Sequence, residues 1–381
     1  MSFNLKKCIV IPDSFKGTMT SVEVCRIMER AIKKHFPTCL VHSIPVADGG
    51  EGTVECFVAA LEMERIKKEV TGPYGERLTA AYAVKDTIAV IETASVAGLP
   101  YAESIGHLSP REGMTYGLGE LIRDAVGRGC KTIILGLGGS CTNDGGTGMA
   151  LAAGVVFYDS HGREFTPRPD TLCRIAGINT EKAEELLAGC TVIGMCDIDN
   201  PMYGESGAAY IFAPQKGADP ADVRILNENL IILGQVLEKH TGKQIAQMKG
   251  SGAAGALGAG ILGFLGGKLE SGIDTVLDQI EYEKMLQGAD MVFTGEGRFD
   301  SQSLRGKVIA GTSKRAGACQ VPVTAVVGSI EPDTEKAYSM GVTSVFSINQ
   351  KAEDFQTSKY SSKENLHKTM DNLMRFYKSA R

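Results

Sequence analysis

The sequence predicts an α/β protein in two domains. Strand-like apolar runs alternate with helical ones at both ends of the chain, the grammar of a parallel sheet. Acidic residues stand beside glycines just after several of these runs, where open α/β sheets bind small molecules. The 381 residues are long for one hydrophobic core and comfortable for two.

The first run, Cys8–Ile11, leads through Pro12 into the loop Asp13-Ser14-Phe15-Lys16-Gly17. A helix follows from Ser21 to His35. Thr20 and Glu23 have capping-box spacing, and Val24, Ile27, Met28, Ala31 and Ile32 recur at helical intervals. A second strand is expected over Leu40–Val46. It runs into Ala-Asp48-Gly-Gly-Glu-Gly-Thr and an apolar helix through Val54–Leu61.

The same pattern returns late. The run at Asp290–Thr294 enters Gly-Glu296-Gly-Arg298-Phe-Asp300, followed by a helix through Val308–Ala316. Strands are expected at Val321–Val327 and Val342–Ile348. The last helix carries Leu366, Met370, Leu373, Met374 and Tyr377 on one face. Between the halves, Thr71–Glu76 reads as a turn, with strands at Ile88–Glu92, Thr132–Leu137 and Thr191–Met195. Helices are expected at Ala221–Lys239 and Gly255–Leu265. The expected organisation is a Rossmann-like domain split in sequence, 1–67 with 285–381, around an inserted domain, 68–284.

Composition narrows the function. With 43% hydrophobic and 22% charged residues the chain has a globular balance, and a net charge of −5 argues against nucleic acid. The ten cysteines form no Cys-x-x-Cys pair, and several lie in apolar runs, which suits a reducing cytoplasm. The N-terminal apolar run is too short for a signal peptide, and no stretch approaches the ~20 apolar residues of a membrane span.

The glycine loops carry the chemistry. Gly136–Gly148 places six glycines around Ser140, Thr142, Asn143 and Asp144, an entropically costly segment that reads as a ligand loop. Asp13 and Lys16 share one loop, suited to a proton or metal and to a phosphate or carboxylate, although a surface ion pair would look alike. Asp197 and Asp199 sit at alternate positions after a strand, so both can face one side; Asp199 equally suits an Asx turn before Pro201. Glu296, Arg298, Asp300, Arg305 and Lys307 fall within twelve residues at a strand-to-helix junction, a setting for Mg²⁺ and phosphate together. Gly250–Gly255 matches G-x-G-x-x-G, but no convincing strand precedes it. It reads either as a glycine-rich helix entry that binds phosphate or as tight helix packing. Lys216, in a glycine turn, reads as solvated or phosphate-facing. No Walker A sequence occurs. Carboxylates that hold Mg²⁺ beside amides that hold phosphate point to phosphoryl transfer.

Seven blocks, in this order, resemble the bacterial glycerate kinases of the first class: IPDSFKG, PVADGGEGT, GGSCTNDGG, CDIDNP, APQKGA, GSGAAGALGAG and TGEGRFDSQSLRGK. The match to this family covers nearly the whole chain. Phe15, Cys141 and Phe299 depart from the usual pattern without touching a charged position. The resemblance implies ATP-dependent phosphorylation of D-glycerate at the 2-hydroxyl, giving 2-phosphoglycerate and ADP. It implies a Rossmann- or flavodoxin-like parallel-sheet domain with a second, mixed α/β domain. On loop position, Asp48 is the first choice of base and Asp197 the second, with Asp13 and Lys16 beside the reacting groups. Glu296, Asp300 and Asp197 are the candidates for Mg²⁺. Backbone at Gly138, Gly139 and from Gly250 through Gly252 to Gly255, with Ser140, Ser251 and Lys307, would hold phosphates. Lys16, Arg298 or Arg305 would meet the glycerate carboxylate, with Asn143 and Asp144 also on the substrate side. The partners expected are small molecules, glycerate and ATP, with neither nucleic acid nor membrane. The oligomeric state stays open, a homodimer being one option. A kinase of another hydroxy or sugar acid such as tartronate, a non-catalytic sensor, and more remotely a dehydrogenase remain alternatives.

Overall fold

The computed structural model describes residues 5–47, 49–50, 52–300, 303, 307–331 and 335–379. The chain divides into two compact units, one of residues 1–48, 55–62 and 271–381, the other of residues 49–54 and 63–270. The sequence reading placed the limits at 67/68 and 284/285. The Glu64–Thr71 strand lies on the second-unit side of the division because it pairs antiparallel with Arg77–Lys85 along its whole length.

The first unit is built on five parallel strands in the order Leu40–Ser43, Lys7–Val10, Met291–Thr294, Val323–Val327, Val342–Ser347. Along the chain this is the flavodoxin-like order 2-1-3-4-5. The order reverses between Lys7–Val10 and Met291–Thr294, where Cys8 stands opposite Met291 and Val10 opposite Phe293. The Leu40 strand stops at Ser43, three residues short of the expectation, just ahead of Pro45. Helices cover the sheet because their apolar stripes match it. Val24, Met28 and Ile32 of Ser21–His35 and Leu366, Met370 and Met374 of Ser362–Ser379 bury with Phe293 and Val326. Each such side chain contributes about 1.5–3 kcal/mol on burial. The Thr20–Glu23 capping box forms as expected: Thr20 Oγ1 accepts from the Glu23 amide at 3.2 Å, and Glu23 Oε2 accepts from the Thr20 amide at 2.9 Å.

The second unit is mixed α/β. Its six-stranded sheet runs Lys268–Glu270, Thr191–Met195, Thr132–Gly136, Ile88–Glu92, Arg77–Lys85, Glu64–Thr71. The first four strands are parallel and the last two extend the sheet antiparallel. A 22-residue helix, Pro220–Thr241, starts from Asp219 as N-cap and ends at Gly242 in the left-handed region. No described helix is long and apolar enough to cross a membrane.

Candidate active site

In the first unit, the loops leaving the two strands at the order reversal come together. Asp13 donates its amide to the Gly295 carbonyl at 2.8 Å, and Gly328 donates to the Glu296 carbonyl at 3.0 Å. A parallel bridge pairs Arg298–Phe299 with Ser329–Ile330. Glycine is required at 328, where a Cβ would lie 2.1 Å from the Gly297 carbonyl oxygen. These crossings hold open a pocket of about 640 Å³, within the ~300–1,000 Å³ of small-molecule sites. Asp13, Lys16, Glu296, Arg298, Asp300 and Lys307 all line it, so the structure gathers six charged residues that the sequence reading singled out.

Glu296 is 5% exposed, and its Oε1 is buried without a hydrogen-bond partner among the described residues. Burial above all pushes its carboxyl up to about 7; the Asp13 and Asp300 carboxylates push the same way, against Ser303 and Lys307. Asp13 is itself buried and accepts from the Ser14 amide at 2.6 Å. Asp300 accepts from the Ser303 amide at 3.2 Å. Arg298 is exposed, 3.6 Å from Asp300 and 3.3 Å from Glu331. Lys307 is the N-cap of the Val308–Ala318 helix, in extended conformation, and its own side chain makes no capping bond. Helix-start amides beside a lysine suit an anion.

In the second unit, the Gly136–Gly148 loop is packed backbone against backbone. Gly138 donates to the Gly49 carbonyl at 2.9 Å, and a Cβ at 138 would lie 2.6 Å from Gly50 Cα. Gly139 has φ +73°. Asp144 is wholly buried and accepts four hydrogen bonds: from Thr115 N at 2.9 Å, Thr115 Oγ1 at 2.8 Å, Gly146 N at 3.1 Å and Gly148 N at 3.0 Å. Burial raises its carboxyl against those donors. Its carboxylate therefore ties the loop's backbone at Gly146 and Gly148 to Thr115. Asn143 differs: it is fully buried, and neither its Oδ1 nor its Nδ2 has a partner among the described residues. Such an amide is a ligand-facing candidate.

Lys216 is not solvated, which removes the first of the two alternatives its glycine turn leaves open. It is 2% exposed, and its ammonium donates to Ser140 Oγ at 3.1 Å and to the Thr142 carbonyl at 2.6 Å. Burial pulls its pKa down to about 8, opposed by Cys141 and Asp144. The glycine turn conceals this from the sequence, because turn residues are ordinarily exposed.

The Gly250–Gly255 segment is not an ordinary helix entry. Ala254, Gly255 and Ala256 have φ of 54°, 67° and 66°, in the left-handed region. A Cβ at Gly252 would lie 2.1 Å from the Pro201 carbonyl oxygen, and one at Gly255 2.1 Å from that of Thr142. Ser251 is buried and donates its hydroxyl to the Ala246 carbonyl at 3.0 Å. These glycines serve close approach of protein backbone, the packing alternative of the sequence reading. Asp197 is half-buried; Asp199 is exposed and pairs with Lys249 at 3.2 Å. Asp48 and Arg305 lie outside the described residues.

Among the described residues, no three His, Cys, Asp or Glu side chains gather closely enough to hold a metal unaided. A sequence model of the glycerate kinase family matches residues 8–378. This chain belongs to the glycerate kinase family. A glycerate kinase from Halalkalibacterium halodurans is 40% identical over 348 residues, 89% of this chain and 90% of that one. A glycerate 2-kinase from Escherichia coli K12 is 37% identical over 344 residues, 90% of each chain. A crystal structure from Salmonella typhimurium LT2, provisionally assigned as glycerate kinase 2, aligns with a TM-score of 0.86 at 34% identity over 98% of both chains. The glycerate kinase fold and kinase activity are thereby placed on this chain, and the two-domain α/β expectation holds.

Proposed function

We propose that this glycerate kinase transfers the terminal phosphoryl group of ATP to the 2-hydroxyl of D-glycerate, giving 2-phosphoglycerate and ADP. The observation that carries the reading is the pocket at the order reversal of the parallel sheet, with Asp13, Glu296 and Asp300 facing Lys307 and a helix start. Phosphoryl transfer asks chiefly for positioning and charge neutralisation, which such a set supplies.

The residues fit Mg²⁺. Glu296 keeps a buried carboxylate oxygen with no partner among the described residues, close to the Asp13 and Asp300 charges, an arrangement that a cation relieves. Bound there, Mg²⁺ would neutralise phosphate oxygens; one or two carboxylates with the phosphates themselves meet its usual needs. Glu296 and Asp13 would hold it, with Asp300 beside them. Lys307 and the Val308 helix start receive phosphate oxygens. Lys16, exposed at the pocket wall, serves the phosphates or the glycerate carboxylate, a role open also to Arg298 and Arg305.

In the second unit, Asn143 offers its unpartnered amide to the acid substrate. Asp144, Lys216 and the Gly138–Ser140 and Gly250–Gly255 backbones shape the loop that presents it. Asp48 remains the proposed base for the hydroxyl proton. The proposed compartment is the cytoplasm, where ten unpaired cysteines, six of them buried, remain reduced. A coupled ADP-release assay with D-glycerate, L-glycerate and tartronate tests the reading. Preference for D-glycerate supports it; turnover of tartronate alone would overturn the substrate, and no turnover with any acid would overturn the activity.

A further inference from the structure

The pocket is larger and less uniform than a three-carbon acid and a phosphate chain need. Its lining combines Asp13, Glu296, Asp300 and Lys307 with residues that follow the last strand of the sheet, among them Ile348, Asn349, Glu353, Phe355 and Ser358. Ile348 is buried, but Phe355 is 55% exposed, on the short helix Phe355–Ser358 capped by Asp354. The ring lies against the Asp13–Gly17 loop, where Gly17 adopts φ +77° and a Cβ would sit 3.4 Å from Phe355 Cζ. An aromatic ring in the same pocket as Lys307 and a helix start suits a nucleotide, which is apolar and planar at its base and polyanionic at its phosphates. Glycerate has no apolar face to cover such a ring.

We propose that the part of the pocket around Phe355 is a nucleobase subsite, in which a purine stacks on Phe355 while the Asn349 side-chain amide, donor and acceptor at once, meets its edge. The proposal rests on the reading of this pocket as the nucleotide site. Phe355 then sets affinity for the base without touching the phosphates.

The test uses the full chain and two probes with Mg²⁺ present, ADP and inorganic tripolyphosphate, measured by titration calorimetry. Stacking on an aromatic side chain gives a loss of about tenfold in ADP affinity for Phe355→Ala, with tripolyphosphate unaffected. Phe355→Tyr should restore ADP affinity to within about twofold. Equal weakening of both probes by Phe355→Ala would overturn the subsite, since the ring would then merely support the neighbouring loop. A normal ADP affinity in Phe355→Ala, alongside a weakened one in Lys307→Ala, would place the base elsewhere but keep the pocket. If neither substitution moved ADP affinity, both the subsite and the nucleotide reading of the pocket would fall.

Discussion

Replacing Glu296 with glutamine should make the protein more stable and nearly inactive. Glu296 sits 5% exposed with its carboxyl pushed from 4.5 to about 7, first by burial and then by Asp13 and Asp300. The folded state therefore binds this proton more tightly than the unfolded chain, and stability falls as pH rises from about 4.5 through about 7. Raising the carboxyl from 4.5 to about 7 corresponds to roughly 3 kcal/mol at pH 8, and to roughly 1 kcal/mol at pH 5, where most of the group is protonated in the folded protein. Glutamine carries no charge at either pH and escapes this cost. Glu296→Gln should thus exceed the parent by about 3 kcal/mol at pH 8 and by about 1 kcal/mol at pH 5. The measurement is urea unfolding without nucleotide or Mg²⁺, followed by far-UV circular dichroism because the chain has no tryptophan. Turnover should drop by roughly 10²–10³, the usual loss for one preorganised electrostatic group. An equal offset at both pH values, or a less stable variant at both, would refute the claim that a buried charge is held here for a ligand.

Three further outcomes follow from the geometry. Lys216 has its pKa pulled from 10.5 to about 8, so the folded state sheds its proton first and stability rises with pH between those values. Relative to Lys216→Met, the parent should gain about 2 kcal/mol from pH 7 to pH 9.5 in paired urea unfolding; a flat difference would contradict its burial as a cation. Gly328→Ala forces a Cβ to 2.1 Å from the Gly297 carbonyl oxygen, so it should destabilise by about 1–3 kcal/mol and lower turnover by displacing Glu296, measured by melting and steady-state kinetics. Asp48→Asn should cut turnover by orders of magnitude with an unchanged melting temperature; near-normal turnover would remove Asp48 from the role of base.

Local rules were readable where local physics decides the outcome. The Ser21–His35 helix has its expected ends, since Thr20 and Glu23 satisfy each other's amides and the apolar stripe has a sheet to bury against. The acidic loop around Glu296 was legible because carboxylates, glycines and basic residues at a strand end have few other uses. Other features depend on contacts far along the chain. Lys216 is buried by Ser140 and Thr142, more than seventy residues away, and nothing in Ala213–Ala218 announces it. The left-handed turn at Ala254–Ala256 arises where Gly255 meets the Thr142 carbonyl, so a dinucleotide-like spacing records tight packing. Phe355 gave no signal either. A lone phenylalanine in a polar stretch becomes informative only when the fold carries it to the pocket of Asp13 and Glu296.

Transfer to the 2-hydroxyl of glycerate is tested most directly by ³¹P and ¹³C NMR of the protein incubated with MgATP and D-glycerate. A 2-phosphoglycerate signal growing in step with ADP is the expected result. A 3-phosphoglycerate signal would contradict the proposed position of transfer, and an unchanged spectrum would contradict glycerate as the substrate.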